Sequence, residues 1–215
     1  MKSNMNKLAF NKWSGILAFL LLTASVTTTY GQSSLQLGLK AGGNFFKVGG
    51  RSFDGKTYPG FSAGAYAKLN FTSKWSLQPE LLFNQTICKT SDDFANIYYG
   101  LTGQLVALNY VAVPVLISFK PIPELSILLG PQYGYLVSQT TGLLGGPANQ
   151  GKNAFNKNDL SLVFGGQLNL GKVIFGLRYS AGLNNISFET TDTWRQYGIQ
   201  AYLGYQLWDV KLRKK

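Results

Sequence analysis

At 215 residues the chain has the length of one β-barrel domain, a size such barrels reach without splitting. Charged residues make up 13% of it, about half the usual globular share, against 14% aromatics and 25 glycines. That charge is too sparse to cover a soluble surface, so a second apolar environment outside the protein is implied. The net charge is +11, there is no histidine, and Cys88 is alone. An internal disulfide and Ser-His chemistry are thereby excluded, and Cys88 reads as a packed thiol.

The N-terminus begins with Lys2, Lys7 and Lys12, continues through the apolar run 15–24, and becomes small and polar up to Gly31. This is the order of a secretory signal peptide, expected over 1–31 with the mature chain starting at Gln32. The apolar run is about ten residues, too short to span a bilayer as a helix, which takes roughly 20. The basic residues follow no groove-reading motif, and an exported chain has no nucleic acid to meet.

Beyond Gln32 no segment keeps a helical period over three turns; alternating runs recur instead. They cover 35–46, 60–70, 75–87, 105–119, 125–137, 160–170, 173–184 and 194–208. Links 71–74, 120–124 and 171–172 are tight, whereas the alternate links, including 89–104 and 138–159, are long. Eight strands with short turns at one end and long loops at the other is the pattern of a small outer-membrane barrel. The expected fold is therefore all-β: an eight-stranded antiparallel up-and-down transmembrane barrel over 32–209, with a basic tail over 210–215.

The alternation decides which face meets lipid. In the second run Phe61, Ala63, Ala65, Ala67 and Leu69 oppose Ser62, Gly64, Tyr66, Lys68 and Asn70. In the third, Trp75, Leu77, Pro79, Leu81 and Phe83 oppose Ser76, Gln78, Glu80, Leu82 and Asn84. The seventh and eighth runs alternate in the same way. The apolar face carries no charge except Arg195 at one mouth, as a bilayer demands, since a midplane Arg or Lys facing lipid costs roughly 2–4 kcal/mol. The polar face holds Lys40, Lys68, Glu80 and Arg178 among many glycines. It is a poor solvent surface and a reasonable lumen, because eight strands enclose only enough room for side chains. Gly38, Gly42, Gly64, Gly130 and Gly165 are expected to make space there for Tyr66, Tyr202 and the long charged chains.

Lys40, Lys68, Glu80 and Arg178 are thus the candidate site, a structural charge network in which Glu80 lies diagonal to Lys68 and Arg178 faces Gly165. Bulges are expected at Pro79 and Pro114. Asn109 falls on the lipid face, which suits it only near the outer rim, and the fourth run is apolar on both faces. Aromatic girdles are expected from Phe71, Trp75, Phe119 and Trp208 at the short-turn end, and from Phe46, Tyr58, Phe61, Trp194 and Tyr197 at the other. The Gly-rich stretch 142–146 lacks a strand-to-helix context and a following GK[ST], so it reads as loop rather than as a nucleotide site.

Several segments resemble the PorT-like outer-membrane β-barrel proteins of Bacteroidota: 39–45 (LKAGGNF), 76–83 (SLQPELLF), 109–116 (NYVAVPVL), 177–186 (LRYSAGLNNI) and 203–207 (LGYQL). The most specific element is Pro79-Glu80. Members of that family usually carry Glu where this chain has Ala112, and they commonly finish at a terminal aromatic, whereas this chain runs past Trp208 into a basic tail. The resemblance implies fold and outer-membrane location and little about activity. No enzyme, metal or cofactor site is expected. Expected partners are outer-membrane lipid, the barrel-assembly machinery during insertion, and an extracellular partner at 89–104 and 138–159, with the protein a monomer. Three other readings remain: an accessory subunit of a secretion machine, a periplasmic lipocalin-like binder with an apolar interior, and a narrow channel.

Overall fold

The computed structural model describes residues 33–93, 102–141, 154–187 and 192–212. The signal peptide expected over 1–31 lies outside them, as do the stretch 142–146 and the central parts of both long loops. Eight strands close into one antiparallel barrel in chain order. They are β1 (Ser34–Gly49), β2 (Tyr58–Asn70), β3 (Trp75–Lys89), β4 (Leu105–Ile122), β5 (Leu125–Thr141), β6 (Asn158–Leu170), β7 (Val173–Gly182) and β8 (Arg195–Lys211). Closure comes from β1 pairing with β8, Ser34 opposite Lys211 at one end and Gly49 opposite Arg195 at the other. β8 therefore includes Val210 and Lys211, the first two residues of the expected tail.

The period-2 pattern maps onto the wall as the sequence requires. Phe61, Leu81, Phe164, Phe175, Leu177, Ile199 and Leu203 face outward and are exposed, while Lys40, Lys68, Glu80, Gln167, Arg178 and Gln200 face inward and are buried. A soluble ligand-binding barrel would need the reverse polarity, an apolar interior, so the lipocalin-like reading fails on the inner face.

Three local expectations are corrected. No bulge forms at Pro79 or Pro114. The ladder keeps its register and skips two residue pairs beside each: in β2–β3 between Tyr66/Glu80 and Leu69/Leu77, and in β3–β4 between Pro79/Val115 and Leu82/Ala112. Pro131 sits beside a third such gap, in β4–β5 between Pro114/Gln132 and Ile117/Leu129. Losing an N–H thus costs local pairing but inserts no residue. The register shifts occur elsewhere, at Leu37/Gly38 in β1–β8, at Tyr58/Ser62 in β2–β3, and at Asn109/Tyr110 and Phe119/Ile122 in β4–β5. Finally, β7 ends at Gly182 rather than Asn184. The Asn184 side chain replaces backbone pairing there, accepting from Leu160 N at 2.7 Å and donating to Asn158 O at 2.8 Å.

The tightest turn, Gly171-Lys172, joins β6 to β7 with Gly171 at φ +63°, the left-handed region glycine enters without strain. Asn109 is satisfied on the outer face near the long-loop end. It accepts from Gln85 Nε2 at 3.3 Å and donates to Ser138 Oγ at 2.9 Å, so three neighbouring strands share one polar bridge.

Candidate functional site

At the waist of the lumen, alternation turns Lys40 of β1, Glu80 of β3, Arg178 of β7 and Tyr202 of β8 inward. Glycines clear the space. Lys40 has Gly64 and Gly204 opposite it on its two neighbouring strands, and Arg178 has Gly165 opposite it. A Cβ at Gly165 would meet the Arg178 side chain, one at Gly38 the Tyr66 ring, and one at Gly176 the Tyr202 ring. Gly64 and Gly130 instead give way to Leu82 and Leu116.

In this cleared space Glu80, 3% exposed, takes two cations. Its Oε2 lies 2.5 Å from Lys40 Nζ and 2.8 Å from Arg178 NH1, and its Oε1 accepts from Gln78 Nε2 at 2.8 Å. The Tyr202 ring lies under both cations, 4.2 Å from Lys40 Nζ and 5.5 Å from Arg178 Cζ at its centroid. Its hydroxyl donates to Gln167 Oε1 at 3.1 Å. A single carboxylate thus meets two buried cations, with an aromatic face and amides completing the shell. Such a group is costly to bury and costlier to break.

Lys68 departs from the expectation. The β2–β3 register sets Tyr66 opposite Glu80, so Lys68 is diagonal to Glu80 as anticipated. Its ammonium nevertheless crosses the lumen to Ser126 Oγ of β5, at 3.4 Å. Both Glu80 oxygens are already engaged, and a third cation at the carboxylate would meet two like charges. Lys68 joins the waist only indirectly, because Asn169 donates to the same Ser126 Oγ at 3.0 Å and Gln167 donates to Asn169 Oδ1 at 2.8 Å. Three of the four expected residues form one cluster; the fourth lies a layer away.

Toward the long loops the filling stays polar, then changes. Gln200 donates to Asn44 Oδ1, and Thr86 donates to Gln196 Oε1 at 3.0 Å. Next comes a small polar chamber lined by Asn84, Tyr110, Asp159 and Gln196, with room for about one water.

Above it an apolar cap closes the mouth. Val48, Phe53, Cys88, Val106, Leu108, Tyr110, Leu136, Phe155, Ile186 and Trp194 form one buried cluster. Phe53, Phe155 and Trp194 come from three different loop roots and pack ring to ring, with centroids 5.0 Å apart for Phe53–Trp194, 5.3 Å for Phe155–Trp194 and 6.0 Å for Phe53–Phe155. Short bridges pair Phe53 with Thr90 and Phe155 with Ser187, so the roots of all four long links are tied together.

The cap departs from the expected aromatic girdle: Trp194 and Phe46 turn inward, Trp194 to 0% exposure. Phe61 keeps its place on the outer surface, stacked on Phe83 at 5.5 Å. The available signal was the doubly apolar fourth run, whose inner residues Val106 and Leu108 belong to the cap. Cys88 is packed there, its Sγ 3.8 Å from Val106 O. Among the described residues no three His, Cys, Asp or Glu side chains come together as a metal cluster.

A family model described as outer membrane protein beta-barrel domain matches residues 27–187. Among solved structures, Neisserial surface protein A is similar at 14% identity, covering 81% of this chain and 97% of its own, with a TM-score of 0.46. The attachment invasion locus protein Ail of Yersinia pestis is 16% identical, covering 83% of this chain and all of its own, with a TM-score of 0.44. OprG of Pseudomonas aeruginosa is 13% identical, covering 82% of this chain and 96% of its own, with a TM-score of 0.41. No curated protein matches.

Proposed function

The chain belongs to the outer membrane protein β-barrel domain family, and we propose that it is a non-catalytic, monomeric barrel whose filled lumen holds its extracellular loops as a binding platform. The observation that carries this reading is the cap: Phe53, Phe155 and Trp194 lock the loop roots to one another directly above a packed polar lumen. A scaffold that fixes loop roots while leaving loop sequence free to vary is how rigid folds commonly present binding surfaces. Segments 89–104 and 138–159 are the proposed contact regions. Export by the 1–31 signal peptide, insertion by the barrel-assembly machinery and kinship with the PorT-like proteins of Bacteroidota belong to the same proposal.

The test compares the wild-type protein with a variant in which 94–101 and 142–153 are replaced by Gly-Ser linkers. Both should migrate faster unheated than boiled on a denaturing gel, and both should be silent in planar bilayers. Cross-links to a surface partner in whole cells should form with the wild type alone. Steady single-channel conductance by the wild type would replace the scaffold with a transport path. Undiminished cross-links in the variant would remove the loops from the role. Cross-links to subunits of a secretion machine, lost in the variant, would define the partner as that machine.

A further inference from the structure

Two carboxylates are buried among the described residues, Glu80 and Asp159. Their surroundings differ. Glu80 meets Lys40 and Arg178, whereas Asp159, 6% exposed, has no ion pair, and no described side chain of opposite charge acts on it. Its Oδ1 is buried without a hydrogen-bond partner. An isolated carboxylate held out of water is costly unless something neutralises it.

Asp159 faces the small polar chamber beneath the cap. Asn84 and Thr86 of β3, Tyr110 of β4, Ser180 of β7 and Gln196 of β8 line the same space, so five strands bring oxygen-bearing side chains to one point. Two small residues leave the room. Gly134 stands opposite both Ala112 and Asp159 on its neighbouring strands, and a Cβ there would already touch the Asp159 and Tyr110 side chains at 3.5 Å.

The polar groups around the chamber are also unsatisfied. The Tyr110 hydroxyl and Gln196 Nε2 are buried without hydrogen bonds. Gln196 Oε1 accepts from the Thr86 hydroxyl at 3.0 Å. A hydroxyl accepts as readily as it donates, so the Gln196 amide can exchange its ends and turn Oε1 to the chamber.

We propose that this chamber is a sodium site: a dehydrated Na+ bound by the Asp159 carboxylate and by neutral oxygens of Asn84, Thr86, Tyr110 and Ser180. Na+ is close to water in size, which suits a space for about one water. One carboxylate matches one positive charge, whereas Ca2+ takes six to eight oxygens and is held tightly where several carboxylates converge. A proton on Asp159 would neutralise the charge but would leave the other oxygens of the chamber unused. The ion would tie five strands together directly under the cap, at the residue where the long link 138–159 enters β6. The site stands on the barrel fold alone and holds whether or not the loops meet a partner.

The experiment follows urea unfolding of the full-length protein in lipid vesicles, with Na+ exchanged for choline at constant ionic strength. Above its dissociation constant Na+ should raise the wild-type folding constant in proportion to its concentration, approaching tenfold per decade. Asp159→Asn should keep its heat-modifiable band and lose this response. Asp92→Asn, which alters an exposed carboxylate at the same rim, should retain it. Tyr110→Phe should move the response to higher Na+. Equal wild-type stability in Na+ and choline overturns the site. A full response in folded Asp159→Asn overturns its assignment to this chamber, and a larger gain from Ca2+ overturns the monovalent ion. Stability that ignores Na+ but falls as the pH rises through neutrality makes Asp159 a buried acid and overturns the site as well. Should Asp159→Asn fail to fold, sodium NMR relaxation decides: the folded wild type should relax Na+ faster than the urea-unfolded chain, and equal relaxation overturns the proposal.

Discussion

At the waist, Glu80, Lys40 and Arg178 close the lumen with charge; toward the long loops, Phe53, Phe155 and Trp194 close it with apolar rings. The waist joins strands far apart in the wall, β1, β3 and β7, through one carboxylate. The cap joins loop roots through contact area. Charge is directional and fails when one partner goes, because the remaining buried ions lose their compensation. Apolar packing is non-directional and fails in proportion to the volume removed. The lumen is thus closed directionally at the waist and non-directionally at the mouth.

The largest effect should come from Glu80→Ala, which leaves Lys40 and Arg178 buried without a counter-charge. A loss of about 3–5 kcal/mol is expected in urea unfolding from lipid vesicles. A loss under about 1 kcal/mol would mean that solvent reaches the waist. The comparison sharpens with Lys40→Met, Glu80→Leu and Arg178→Met combined. This triple variant should regain most of the stability lost in Glu80→Ala, since an apolar replacement of a buried ionic group is often neutral or better.

Trp194→Ala should cost about 3 kcal/mol and Phe155→Ala somewhat less, by the usual range for removing a buried aromatic. Hydrogen exchange should separate the two regions. Trp194→Ala should raise exchange at Phe53, Thr90 and Ser187 while the amides beside Glu80 stay protected. Faster exchange at both places would make cap and waist one cooperative unit. Gly165→Ala, which drives a methyl into Arg178, should cost about 1–3 kcal/mol as overpacking at the waist.

The smallest effect is expected on the outer face. Asn109→Leu removes the bridge from Gln85 to Ser138 but suits lipid, so the net change should stay within about 1 kcal/mol. A larger loss would place that bridge where water does not reach.

Much of the barrel was legible because its two sides face unlike surroundings. Phe61 through Leu69 against Ser62 through Asn70 states which face meets lipid, and the same period recurs in the other runs. A slip of one residue would turn every side chain to the wrong side, so inward placement of Lys40, Lys68, Glu80 and Arg178 followed from parity alone. Alternation holds inside a strand and says nothing where the chain leaves it. Phe53, Phe155 and Trp194 sit at loop roots, so their convergence depended on how four links fold over one mouth.

The sequence by itself therefore determined the number of strands, the inner and outer faces and the residues available to fill the lumen, because these depend on a local period and on the cost of charge in lipid. Only the tertiary structure decided who meets whom across the barrel. Glu80 takes Lys40 and Arg178 from strands distant in the chain and leaves Lys68 to Ser126, although Lys68 is the near diagonal neighbour. A carboxylate has two oxygens and limited room, and which cations reach it is set by closure of the wall, by the glycines that clear their paths, and by repulsion of the next cation.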